Sequence, residues 1–145
     1  MTSQAGTQTL APPQAGTQTV MTSQTGAQAI TEPPVGWLVC IKGPHIGQCF
    51  NIYSGRNSVG RNAANRIVIA NDMHVSREKH AWISYEPRKK KFTVMPGDGS
   101  GLTYLNDEDI MSPNELKKGD KIELGETMLM FVPLCGEDFS WEDYL

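Results

Sequence analysis

The sequence of 145 residues has no long apolar run, and none approaches the roughly 18 residues a membrane-spanning helix needs. Its first residues have neither a basic stretch nor an apolar one, so no secretory signal is expected there. Cysteine is scarce: only Cys40, Cys49 and Cys135. An odd number without framework spacing predicts reduced thiols and a cytoplasmic location. Cys40 and Cys49 flank His45, but no fourth ligand stands nearby and Cys40 lies in an apolar run, so ordinary thiols are expected and no metal or other cofactor. Charge is nearly missing from residues 1–34, where Glu32 stands alone, and bases are missing from the last eleven residues, which hold four acids. All 13 Lys and Arg fall between Lys42 and Lys121; against the 11 acids of residues 35–134 they leave +2. So small an excess gives no argument for nucleic acid, though it can attract an anion. A helical period is missing too, since no stretch of ten residues shows one.

Residues 1–34 consist mainly of Thr, Gln, Ala, Gly, Ser and Pro. Such a segment cannot bury enough apolar surface to offset the entropy of ordering it, which predicts a disordered arm. Its one regularity is a ten-residue repeat: AGTQT at 5–9 and again at 15–19, then TGAQA at 25–29. Beyond Pro33-Pro34 short apolar or alternating runs follow one another: 37–41, 48–53, 66–69, 81–85, 92–95, 102–105, 121–124 and 127–132. Turn signals such as Gly43-Pro44 and Pro96-Gly97-Asp98-Gly99 separate them. Short strands with turns every eight to twelve residues predict an all-β sandwich or barrel over 35–134. Trp37 and Trp82 are expected in its core. Arg88-Lys89-Lys90-Lys91 reads as a solvated hairpin turn, and His45 and His74 as surface residues. The acidic-aromatic stretch 135–145 either folds back on the domain or offers a partner a peptide to grip.

Three clusters carry chemistry. They are Asn57-Ser58-Val59-Gly60-Arg61, the run from Asp72 to Ala81 that contains Ser76-Arg77-Glu78-Lys79-His80, and the run from Asp98 to Asn106. The loops at one end of a sandwich converge although they are distant in sequence. A guanidinium binds phosphate as a fork, and hydroxyls with open glycine amides complete the shell, so the clusters predict an anion site. Ser76 beside His80 suggests a nucleophile and base, but no acidic third member or oxyanion motif accompanies them, so no enzymatic activity is expected.

In order and type these residues resemble the forkhead-associated (FHA) domain, a β-sandwich that binds phosphothreonine. The quoted matches are Gly60-Arg61, Val75-Ser76-Arg77 with His80-Ala81, and Thr103-Tyr104-Leu105-Asn106. The resemblance implies that Arg61 and Ser76 hold phosphate, Arg77 contacts peptide or phosphate at the rim, and Ser100 supplies the third loop's hydroxyl. It makes Gly60, His80 and Asn106 structural neighbours of the site. There are two departures. Three residues separate Ser76 from His80 where the family has two, and Gly101 stands where the family carries an asparagine that grips the ligand backbone.

The arm fits this resemblance, since small bacterial FHA regulators carry a phosphorylatable N-terminal arm. Thr7, Thr9, Thr17 and Thr19 are the candidate acceptors. Leu10 and Val20 lie three residues after Thr7 and Thr17, the position the family commonly reads, and directly after Thr9 and Thr19. Val35 lies sixteen residues after Thr19, a root-mean-square span of roughly 22 Å for a flexible chain. A tether that short gives an effective concentration around millimolar. Ser3-Gln4, Thr7-Gln8, Thr17-Gln18 and Ser23-Gln24 also resemble the Ser/Thr-Gln clusters that precede FHA domains in checkpoint kinases, but no kinase domain follows. The function expected is phosphothreonine-dependent protein binding in Ser/Thr kinase signalling. The ligand would be a partner protein or the chain's own phosphorylated arm, with a kinase and a phosphatase as further partners and neither nucleic acid nor membrane. The alternative is a constitutive scaffold with a degenerate phosphate site, docking through its sheet face or its acidic tail.

Overall fold

Alternation of apolar and polar side chains builds eleven strands in this computed structural model, which describes residues 32–99 and 101–145. The repeats and their four candidate threonines lie outside the described residues, as does Ser100. The strands are β1 Gly36–Lys42, β2 Cys49–Ile52, β3 Gly55–Gly60, β4 Ile67–Val68, β5 Ala81–Glu86 and β6 Lys91–Pro96. They continue as β7 Thr103–Leu105, β8 Glu108–Asp109, β9 Asn114–Leu116, β10 Lys121–Leu124 and β11 Thr127–Pro133. One sheet has the order β2-β1-β11-β10-β7-β8 and the other β4-β3-β5-β6-β9. The β3–β4 pair is parallel and every other pairing antiparallel.

Inward positions of the two sheets form one core. Leu38 and Cys40 of β1, Leu129 and Phe131 of β11, and Ile122 and Leu124 of β10 are buried from one side. Val59, Ile83, Val94 and Leu116 are buried from the other. Phe92 joins the layers, its ring 4.5 Å from that of Tyr85 and 4.7 Å from that of Phe131. The period of two puts Trp37 and Trp82 on the outward positions of their strands, half-buried, which corrects the expectation that they fill the core. Asn57 to Gly60 is likewise a strand, not a loop, and only Arg61 emerges beyond its end. Asn57 is polar yet wholly buried: its amide donates to the carbonyls of Tyr53 and Ile83 and accepts from the Tyr53 N–H.

The 88–91 run does make a hairpin turn, with Lys90 at φ 56° and its N–H donating to the Glu86 carbonyl. The last residues pack back on the domain. Cys135 is buried, the Phe139 and Trp141 rings lie against the core, and the Trp141 indole N–H donates to the Pro34 carbonyl at 2.7 Å. Among the described residues no helix is long and apolar enough to cross a membrane, and no group of three or more His, Cys, Asp or Glu is placed to hold a metal ion.

Asp72 fixes the long β4–β5 connection. It is 2% exposed, and its carboxylate accepts the Thr127 hydroxyl at 2.7 Å and the N–H groups of Glu126 and His74. Burial pushes its pKa up, but these hydrogen bonds and the nearby His74 outweigh burial and hold it below the ordinary carboxylate range. A depressed folded pKa adds stability that is complete above the unfolded value near 4 and is lost as pH falls through the folded value. Asp72→Asn should therefore cost roughly 1–3 kcal/mol at neutral pH, and the cost should shrink on acidification below about pH 4. Urea unfolding across pH reads this; a cost independent of pH would contradict it. Burial also pushes the Cys135 thiol up. Iodoacetamide should thus alkylate exposed Cys49 well before buried Cys40 or Cys135, as peptide mapping will show.

A candidate phosphate site between three loops

The site grows from the ends of β3, β5 and β6. Arg61 follows β3 directly, and its N–H donates to the Ser76 carbonyl at 3.0 Å. Its Nε donates to the Val75 carbonyl at 3.2 Å. With Nε committed to the scaffold, the two Nη groups form the free fork, and no ion pair among the described residues involves Arg61. Ser76 is half-buried, while Arg77, Glu78 and Lys79 are exposed. The second loop is tied to the first again where the Asn62 N–H donates to the Arg77 carbonyl at 2.9 Å.

His80 is 1% exposed and works as a strut. Its Nδ1 accepts the Ser76 N–H at 2.9 Å, which places the ring hydrogen on Nε2, and Nε2 donates to the Leu102 carbonyl at 2.8 Å. One imidazole therefore joins the second loop to the third. The His80 N–H donates to the Val59 carbonyl and its carbonyl accepts the Gly97 N–H. Both ring nitrogens are engaged by backbone, so His80 is not placed to act as a base toward Ser76.

The extra residue between Ser76 and His80 is absorbed by a left-handed turn. Lys79 has φ 48°, and its N–H donates to Asn65 Oδ1 at 3.0 Å. Asn65, 7% exposed, also donates from Nδ2 to the carbonyls of Asn62 and Arg77, both at 2.8 Å. Gly60 makes room for it, since a Cβ there would lie 2.6 Å from Asn65 Nδ2. Gly60 is thus demanded by close packing rather than by a positive φ. Asn65 had no motif to announce it. Asp72 and Asn57 belong to the clusters read from sequence, but only the fold gives them partners.

The third loop lies flat on the second. A side chain at Gly97 would overlap the Lys79 carbonyl, and one at Gly101 would overlap the His80 ring. At Gly99 a Cβ would stand 2.7 Å from Ser76 Oγ. The structure therefore brings together Gly60, Arg61, Ser76, His80 and Gly101, with Arg77 on the exposed side of the same loop. Asn106 is placed elsewhere. It occupies the turn after β7 with φ 50°, donates to Asp120 Oδ1 and accepts the Lys121 N–H, so it braces the far end of that strand.

Residues 57–125 match the FHA domain family. The FHA domain of a hypothetical protein from Arabidopsis thaliana superposes with a TM-score of 0.62 at 26% identity, covering 81% of this chain and 100% of that one. An FHA domain described for phosphothreonine-dependent interactions gives 0.59 at 23%, covering 68% and 98%. The N-terminal FHA domain of Saccharomyces cerevisiae Rad53p, solved with a phosphothreonine peptide, gives 0.60 at 19%, covering 69% and 94%. No curated protein matches the sequence. The two-sheet fold of the described residues is that of an FHA domain.

Gly101→Ala should lower stability by roughly 1–3 kcal/mol, because the methyl group must displace a buried, doubly hydrogen-bonded ring. Urea unfolding and the His80 ring resonances should both register it. Unchanged stability and unchanged ring shifts would show that the third loop does not rest on His80.

Proposed function

Taking the FHA fold as premise, we propose that this chain is a phosphothreonine-dependent protein-binding module without catalytic activity. The observation that carries the reading is the presentation of Arg61. Its Nε is fixed by the Val75 carbonyl, its Nη fork is open, and the Ser76 hydroxyl and the glycine amides of the third loop lie on the adjoining backbone. Phosphothreonine offers about two negative charges and three acceptor oxygens, which suit one guanidinium, one hydroxyl and loop N–H donors. In this reading Arg61 and Ser76 hold the phosphate, Arg77 meets peptide or phosphate at the rim, and Ser100 and Gly101 are the third loop's binding residues. With no side chain at Gly101, the ligand backbone is held by fewer side-chain amides than the family pattern supplies.

The arm supplies a ligand on the same chain. Phosphorylation of Thr7 or Thr9 and of Thr17 or Thr19 by a Ser/Thr kinase would create up to two tethered phosphothreonines. A phosphatase would reset them. At millimolar effective concentration a bound arm would compete with external phosphoproteins. A cytoplasmic location, the compartment expected from the three unpaired cysteines, belongs to the same reading.

One observation favours constitutive docking as a second reading. The outward positions of β1 and β11, namely Trp37, Val39, Met128, Met130 and Val132, are apolar and half-buried on the six-stranded sheet. Binding through that face would ignore Arg61.

Calorimetry with arm peptides on the full chain separates the two. Peptides phosphorylated at Thr7, Thr9, Thr17 or Thr19 should include at least one that binds, and Arg61→Ala should weaken it by about 100-fold or more, the scale of losing a desolvated charge-assisted pair. Equal binding of unphosphorylated peptide, or indifference to Arg61→Ala, would overturn the phosphothreonine reading.

A further inference from the structure

The outer face of the five-stranded sheet carries a feature the phosphate site does not use. Trp82 lies outward on β5, and two cations rest on its indole. Arg56 Cζ is 5.0 Å from the ring centroid and Lys79 Nζ is 5.8 Å. The register sets Ser58 and Met95 beside Trp82, then Arg56, Ser84 and Thr93 in the next outward row. This is a flat strip of hydroxyls, one thioether and one large ring, edged by positive charge. The acids around it are few. Glu115, at the far edge, is paired with Lys117 at 3.3 Å, and Glu86, at the hairpin end, accepts the Lys89 N–H. Glu78 is exposed in the loop beside Lys79. Among the described residues no carboxylate pairs with Arg56 or Lys79.

The strip is continuous with the phosphate loop. Lys79 is the left-handed residue that accommodates the longer Ser76–His80 spacing, so the same irregularity that keeps Ser76 in place turns a cation onto Trp82. We propose that Arg56, Lys79 and Trp82 form a second binding surface for an acidic segment flanking the phosphothreonine of a partner protein. An extended peptide presents alternate side chains roughly 7 Å apart on one face, so successive carboxylates of one segment can meet the two cations gathered at one indole ring. The Trp82 ring and Met95 give its backbone and methylenes an apolar bed, and the ring holds the two exposed cations at its surface, where a carboxylate can reach them. The inference rests on the phosphothreonine reading for the flanking residue and on charge complementarity for the segment.

The test compares four probes by calorimetry on the full chain at low and high salt. They are a phosphothreonine arm peptide extended by Glu and Asp, the same peptide extended by Ser and Gly, the acidic peptide without phosphate, and a short single-stranded DNA. The acidic extension should tighten binding about five- to tenfold at low salt, the scale of two partly exposed ion pairs, and salt should erode that gain. Arg56→Glu should remove most of the gain while leaving the Ser/Gly peptide unchanged; Arg56 is exposed and lies outside the phosphate loops, so the test does not depend on Trp82→Ala folding. Equal affinity of the two phosphorylated peptides, or a gain that survives Arg56→Glu, overturns the surface. DNA that binds more tightly than the acidic peptide and is lost on Arg56→Glu overturns the assignment to a protein segment. If neither phosphorylated peptide binds better than the unphosphorylated acidic one, while that peptide still binds through Arg56, the phosphothreonine reading fails and the surface stands.

Discussion

The candidate site depends on one imidazole. His80 accepts from the Ser76 N–H and donates to the Leu102 carbonyl, so two loops distant in sequence are held at a fixed separation by a rigid ring. The ring is buried and both nitrogens are engaged, and either hydrogen bond left unmade would strand a buried polar group. Other features serve this contact. Gly101 leaves room for the ring, Gly97 and Gly99 let the third loop lie on the second, and the Val59 carbonyl fixes the backbone from which the ring projects.

A second set of constraints positions Arg61. Gly60 admits Asn65, which holds Asn62, Arg77 and Lys79 together. The Val75 and Ser76 carbonyls then take Nε and N–H of Arg61. Asp72 pins the start of the same loop to the β10–β11 hairpin through a buried carboxylate. The loops of this end are thus over-determined by hydrogen bonds to backbone, which is what holding a guanidinium ready for a dianion requires. The third loop, rich in glycine, relies instead on close approach.

Much of this was legible in the sequence. Alternation and turn residues give the all-β sandwich, and Gly60-Arg61, Ser76 and His80 stand out by type and order. What was not legible depends on register or on contacts across the chain. Whether Trp37 and Trp82 face in or out follows from which member of each strand pairs inward, and Leu38 and Ile83 took those places. β3 was missed because a strand reading Gly-Arg-Asn-Ser-Val-Gly buries an asparagine where an apolar residue is expected, and Asn57 is satisfied only by Tyr53 and Ile83. The extra residue before His80 reads as a defect until Lys79 is seen in a left-handed turn capped by Asn65. Gly101 reads as a lost asparagine until the His80 ring is found in the space a side chain would need.

The central claim is that the three loops around Arg61 and Ser76 receive phosphothreonine. Amide NMR titration of the full chain with one arm peptide, phosphorylated and unphosphorylated, tests it most directly. The account predicts that the phosphorylated peptide alone moves the resonances of Arg61, Ser76, Arg77, Gly99 and Gly101. Equal shifts from both peptides, or shifts confined to the outer face of the six-stranded sheet, would contradict it.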